Sequence, residues 1–331
     1  MKKIYLILSV FAIVFTACET DFDVNADWEE TTVVFGLLDA AKDIQFIKIK
    51  KAFLGEADAE LMASFSDSVN YIPEDLKVVL YKINFNDTID SVVLKDTLII
   101  KDLLNVNDEP GIFSIDNNII YYFNSPITDN FLNEDQTSST TYSLVIKNIK
   151  TGNIVSATTK IIGAFNFSTN PSKFVFYNST YGLDAYQDLD WIPSITPKAV
   201  AYQIGVRFHY KEDNVIKDLF WNQIQVDKYE SSLTLFGRDF ISFLEGKLSK
   251  DNSTREFLSI DIIMTLGSQD LKTYMEVNSP ITGIVQERPQ FTNINNGIGL
   301  FSSRYTREYV NLPLSSESRD YLINNSGLNF Q

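Results

Sequence analysis

One cysteine, Cys18, and one histidine, His209, are all that the 331 residues hold of the two most versatile chemical side chains. A single thiol cannot form an internal disulfide, and one imidazole cannot supply the three or four His/Cys ligands usual for zinc. A hydrolytic triad needs a base beside its nucleophile, and only His209, in "RFHYK" between Arg207 and Lys211, is on offer. Cations are short as well: 28 Lys and Arg face 43 Asp and Glu, giving a formal charge of −15 and a sequence pI near 4.5. Such a chain is repelled by nucleic acid and by anionic lipid, and no lysine- or arginine-rich cluster offsets this. Glycine and proline number only 14 and 9 against 24 Phe and 16 Tyr, which favours strands over disorder. No phosphate-binding glycine loop is present: "NNGIGLF" lacks the lysine and the following helix, and reads as a tight turn entering a strand. Neither a cofactor nor a resident metal is expected.

What the chain does have begins with "MKKIYLILSVFAIVFTAC". Lys2 and Lys3, an apolar run from Ile4 to Phe15, and the small residues Thr16 and Ala17 have the layout of a secretory signal over residues 1–17. The run falls short of the ~20 residues that cross a bilayer. A cysteine directly after such a site suggests bacterial lipoprotein processing: cleavage between Ala17 and Cys18, diacylglycerol on the Cys18 sulfur, and acylation of its amine. Phe15 stands where leucine is usual. The competing reading is an ordinary signal with a chance cysteine or a buried free thiol. Against it, Cys18 borders the acidic "ETDFDVNADWEE", with no second cysteine to meet. Each buried methylene contributes about 0.8 kcal/mol, so several acyl chains make a durable membrane anchor. Removal of Lys2 and Lys3 with the leader moves the charge from −15 to −17. Residues 18–30 read as an acidic tether, with Trp28 closing the edge of the first domain or, as a second reading, stacking on sugar.

From Thr31 onward short β-rich runs alternate with turn residues, and the fold class is all-β with minor helices. "TTVVFGLL" and "DIQFIKIKKAF" flank "DAAK" as a hairpin would, with Ile47 and Ile49 on one face and Lys48 and Lys50 on the other. "LKVVLYKI" and "DSVVLKD" follow, and "TTYSLVIKNI", "KTGN" and "IVSATTKII" make the clearest hairpin. These strands predict a β-sandwich over residues 31–163, with one or two helical turns in "GEADAELMASF". "GAFNFSTNPSKF" reads as the join to a second β domain, 164–314, followed by a tail, 315–331. There Tyr202, Ile204, Val206, Phe208 and Tyr210 point one way, and Gln203, Arg207, His209 and Lys211 the other. "GRDFISFLEGKL" predicts a helix, an insertion in the domain, from Phe240, Phe243, Leu244 and Leu248. The spacing "DLDW…AVAYQIGVRF" is similar to the second and third strands of fibronectin type III domains, where a strand tryptophan fills the core.

The phrases "CETDFDVNADW", "VVFGLLD", "IKIKKAFLGEADAELMA", "DSVNY" and "NINNGIGLFSSRYT" together resemble a family of uncharacterised, domain-of-unknown-function lipoproteins from Bacteroidota. The resemblance implies an outer-membrane lipoprotein of two β-rich domains without an established activity. Relatives encoded near TonB-dependent outer-membrane channels imply a part in uptake. Thr20, Asp21, Phe22 and Asp23 are similar, one acidic residue short, to the motif that routes such lipoproteins outward; the alternative is a solvated acidic linker. Asp followed by Ser or Thr and an aliphatic residue resembles the periplasmic O-glycosylation signal of that lineage. It marks Ser68, Thr88, Ser91 and Thr97, although Asp-Ser and Asp-Thr are also common at turn boundaries.

Two further features bear on chemistry. Asp188 and Asp190 share one face of a strand in "QDLDW", the residue type of a glycosidase pair or a calcium site, but Leu189 and Trp191 take the core side and leave the carboxylates facing solvent. Trp191 and Trp221 offer a sugar-stacking platform or, alternatively, core packing. The leading expectation is a non-catalytic, surface-attached binding or accessory module whose partner is a TonB-dependent channel or a surface glycan. A glycan-active hydrolase using loop carboxylates and a structural or adhesive protein are the alternatives.

Overall fold

A computed structural model describes residues 31–52, 66–99, 118–126, 131–132, 140–192, 198–227, 231–249, 253–279 and 290–331. The leader, Cys18 and the tether lie outside the described residues, as does residues 55–65 of the segment expected to make helical turns. The chain is all-β with minor helices. Its first strands are β1 Thr31–Asp39, β2 Ile44–Ala52, β3 Leu76–Asn84, β4 Asp87–Val93, β5 Lys95–Leu98, β6 Ile119–Asn124, β7 Thr140–Asn148 and β8 Ile154–Thr159. The second part holds β9 Tyr186–Asp190, β10 Ala201–Glu212, β11 Val215–Asp227, β12 Ser232–Phe236, β13 Arg255–Gly267, β14 Ile294–Asn295 and β15 Gly297–Leu312. Among the described residues, three short helices, α1 Gly237–Lys247, α2 Gln269–Val277 and α3 Ser316–Asn324, accompany a helical turn at Ser66–Val69 and a 3-10 turn at Pro73–Asp75.

Local chemistry accounts for the hairpins. Between β1 and β2 the Lys42 amide donates to the Asp39 carbonyl at 3.0 Å, and the Gln45 side chain accepts from the Asp39 amide at 2.8 Å. Ile47 and Ile49 then fall inward and Lys48 and Lys50 outward, the period of two that sets the register. In the β7–β8 turn the Asn148 side-chain oxygen accepts from the Lys150 and Thr151 amides, and Gly152 supplies the positive φ of +77°. α1 follows the expected stripe, burying Phe240, Ile241 and Leu244.

Three sheets carry these strands. The largest has the order β11-β10-β13-β15-β1-β2-β6-β5; a five-stranded sheet has the order β14-β8-β7-β3-β4; β9 pairs with β12. The first sandwich packs Val34, Ile47, Leu80, Tyr142, Leu144 and Phe301 into one core. In the second, β9–β12 and α1 supply the layer opposite β11-β10-β13. β9 and β10 lie in different sheets and Trp191, at the end of β9, fills the space between, its ring 5.6 Å from that of Tyr202. At about 1.5–3 kcal/mol per fully buried large apolar side chain, these two clusters supply most of the drive to fold.

β15 belongs to both sandwiches. Its first half, Gly297 to Arg304, runs parallel to β1, and its second half, Arg304 to Leu312, antiparallel to β13. β14 joins β8 through Ile294 and Ala157. Residues 294–304, expected in the second domain, therefore complete the first sandwich. Two glycines make the parallel approach feasible: a Cβ on Gly297 would lie 2.7 Å from the Thr32 carbonyl oxygen, and on Gly299, at φ +117°, 2.0 Å from that of Val34.

The ends of the second domain are also more tightly held than the sequence indicates. In the join, Phe165, Phe167 and Phe174 are buried in its core. Residues 315–331 are no loose tail: Ser315 caps α3 by accepting from the Ser318 amide, and Leu322, Leu328 and Phe330 enter the same core. The apolar residues are widely spaced there, which hides the packing from a reading of periodicity.

Candidate binding surfaces

The sequence-expected site residues are scattered. Ala17, Cys18, Thr20, Asp21, Phe22, Asp23 and Trp28 lie outside the described residues. Ser68 belongs to the helical turn Ser66–Val69. Thr88 and Ser91 are exposed on β4, the last strand of the five-stranded sheet, and half-buried Thr97 is on β5, the last strand of the large one. Asp188 and Asp190 are exposed on β9, with Leu189 and Trp191 turned into the core as the alternation requires. The Thr234 hydroxyl donates to Asp188 Oδ1 at 2.7 Å across the β9–β12 pair.

Neither candidate platform tryptophan is available. Trp191 is 2% exposed, and buried Trp221 packs on Phe240 and Phe243 at 5.5 and 6.1 Å between ring centroids. His209 falls on the outward side of β10 but is braced there. Its Nε2 lies 2.8 Å from Asp261 Oδ2, and Asp261 Oδ1 accepts from the Asn311 amide at 2.9 Å. The imidazole thus ties β10 to β13 and, through the carboxylate, to β15. The registers of β10 and β13 shift beside it, between His209 and Tyr210 and between Ile260 and Ile262, and Asn311 takes φ +58°. A brace at the meeting of these irregularities accounts for the pair. Among the described residues no group of three or more His, Cys, Asp or Glu side chains is placed to hold a metal ion.

Among the described residues, two of the clefts border the first sandwich at β5 and at β8. One, of about 450 Å³, lies beside β5 and is lined by Lys51, Asp67, Asn70, Tyr71, Asp96 and Thr97 among others. Lys51 Nζ donates to the Asp67 carbonyl at 2.7 Å and stands 5.7 Å from the Tyr71 ring centroid, while the Tyr71 hydroxyl bonds Thr32 Oγ1 at 2.8 Å. Burial pushes the Tyr121 phenol well above its ordinary range, and the charge of Asp96 adds to the effect, so that phenol stays neutral. The second cleft, of about 410 Å³, is formed where the two sandwiches meet, by Thr141, Thr159, Lys160, Lys198, Ser268 and Asp270 among others.

The third surface is the outward face of β10 and β11. Gln203, Gly205, Arg207 and His209 follow one another on β10, and Asn222, Phe220 and Asp218 on β11, with Gly205 opposite Asn222 and Arg207 opposite Phe220. The Phe220 ring leans over Gly205, where a Cβ would come within 2.4 Å of its Cζ. Even so, 45% of Phe220 is exposed. The Arg207 guanidinium stands 5.7 Å from the ring centroid and pairs with Asp218 at 4.0 Å; Gln203 Nε2 donates to Asn222 Oδ1 at 2.6 Å. Alternation alone does not mark this group, since it sets only polar residues beside a single Phe. The available signal was Gly205, a strand-interior glycine that marks close approach by another group.

Against models of known protein families and against curated proteins the sequence has no match. Among solved structures it is similar to the chicken CNTN1 FN1–FN3 domains, at 11% sequence identity and a TM-score of 0.23. That alignment covers 71% of this chain and 60% of the other, so it spans less than two thirds of the neighbour's length.

Proposed function

We propose that the protein is a lipid-anchored outer-membrane lipoprotein, displayed outward, that binds rather than catalyses and serves as an accessory module to a TonB-dependent uptake channel. The observation that carries this reading is the opening of the sequence: charged head, apolar run, small residues, Cys18 and then an acidic tether. The resemblance to uncharacterised Bacteroidota lipoproteins supports the location and the association with uptake. Two sandwiches sharing one continuous sheet make a stiff frame, and an open sheet face and two clefts on such a frame are suited to holding a partner. Asp188, which accepts from the Thr234 hydroxyl, and the single histidine, bound to Asp261, have structural surroundings, which favours binding over hydrolysis.

Metabolic labelling with an alkyne fatty acid tests the anchor. Wild-type protein takes up label and fractionates with membranes, and Cys18→Ser does neither. Unlabelled wild type in the soluble fraction would refute the proposal.

A further inference from the structure

We propose that the outward face of β10 and β11 around Phe220 is a binding platform for a neutral saccharide. This rests on the binding-module reading and names the ligand class for one surface of that module.

Three observations carry it. The first is the ring itself. A strand-interior glycine weakens a sheet, by roughly 0.5–1 kcal/mol relative to alanine. Gly205 nonetheless stands where any Cβ would collide with Phe220, so the ring's position depends on the glycine. Aromatic rings that cover glycines in sheets ordinarily restore lost packing. Phe220 does this and still presents nearly half its surface to solvent, with no large apolar neighbour on its own strand face closer than Ile216, four residues away.

The second is the company it keeps. Flat polar groups flank the ring on both sides: the Gln203–Asn222 carboxamide pair at one end, the Arg207–Asp218 pair at the other. Gln203 uses a donor and Asn222 an acceptor in their mutual bond, which leaves each amide its complementary group, an acceptor on Gln203 and a donor on Asn222. Sugars present a C–H face for an aromatic ring and a rim of hydroxyls that both donate and accept. Outward positions along a strand are about 7 Å apart, so Asn222, Phe220 and Asp218 span the dimensions of one or two hexose rings.

The third is charge. On a chain of net charge −15, both cations of this face stand beside carboxylates, Arg207 with Asp218 and Lys211 with Glu256 at 3.9 Å, while the Asp261 carboxylate is engaged by His209 and by the Asn311 amide. A phosphate or uronate ligand requires cations not already matched by carboxylates, and a cationic ligand requires the reverse. A neutral, hydroxyl-rich ligand requires neither.

The test is affinity electrophoresis of the full chain in non-ionic detergent, through native gels containing dextran, mannan, xylan, laminarin or soluble starch, with polygalacturonate as the anionic comparison. Retardation by at least one neutral polysaccharide is expected. Phe220→Ala should weaken it at least ~10-fold, and Phe220→Tyr should retain it. Should Phe220→Ala lower the melting temperature, the double change Gln203→Ala, Asn222→Ala, at one half-buried and one exposed position, must weaken retardation in a protein that melts normally. No retardation by any neutral polymer, retardation by polygalacturonate alone, or retardation indifferent to all these changes would overturn the proposal. None of those results touches the fatty-acid labelling of Cys18, so the two readings fail separately.

Discussion

Gly299 meets Val34 at the seam between the sandwiches so closely that a Cβ on the glycine would lie 2.0 Å from the Val34 carbonyl oxygen. The contact belongs to the parallel β1–β15 pairing that makes one eight-stranded sheet of two units. Gly299→Ala, which also has to accept φ +117°, is expected to cost at least about 2 kcal/mol in urea unfolding. Gly246→Ala is the control. It sits on the exposed side of α1 with open space around it, and should be neutral or stabilising by up to ~1 kcal/mol. Equal stability of Gly299→Ala and wild type would show that β1 and β15 do not pair as described.

Most strands could be read from the sequence because they alternate. Tyr202, Ile204, Val206, Phe208 and Tyr210 are all buried, as period two demands, and the "KTGN" turn closes β7 on β8. The β1–β15 pairing could not be read, since its partners are more than 260 residues apart and neither strand carries a mark of the other except the glycines. α2 and α3 are not legible because "QDLKTYMEV" and "SESRDYLIN" are short and mostly polar, without an apolar stripe to mark a buried face. The Phe220 face escaped for a related reason: a platform is made by two strands side by side, and each contributes an unremarkable polar alternation on its own.

A buried cation tests the electrostatics of the second sandwich. Arg255 is 1% exposed, with Nε 2.8 Å from Glu212 Oε2 and Nη1 on the Ser249 and Leu328 carbonyls. The hydrogen bond from Lys217 foremost, against the opposing effect of burial and with help from Arg255, holds Glu212 below the ordinary glutamate range. A carboxyl lowered on folding stabilises the protein above its unfolded pKa, about 4.3, and that contribution disappears as pH falls through the folded value. Glu212→Gln should therefore be less stable by about 2 kcal/mol at pH 7, with the gap to wild type closing below about pH 4. A gap constant from pH 7 to pH 3 would contradict this assignment.

The core tryptophan gives a plain check on the second sandwich. Trp191→Ala should lose about 3–5 kcal/mol, because the indole is enclosed against Tyr202 between opposing sheets. Loss of less than about 1 kcal/mol would place Trp191 at a surface instead.

Outward display is a separate expectation, attached to Thr20, Asp21, Phe22 and Asp23. Protease added to intact cells should digest wild-type protein and spare a chain with those four residues changed to alanine. Equal digestion of both would return the four to the status of plain tether.

The proposed role is tested most directly by affinity purification of the tagged full chain from native outer membranes in mild detergent. A TonB-dependent channel should be recovered with wild type in comparable amount and be absent from the Cys18→Ser preparation. Recovery of the membrane-bound chain alone, together with steady cleavage of a glycan that stops when one Asp or Glu is changed to its amide, would contradict the account and make the protein an enzyme.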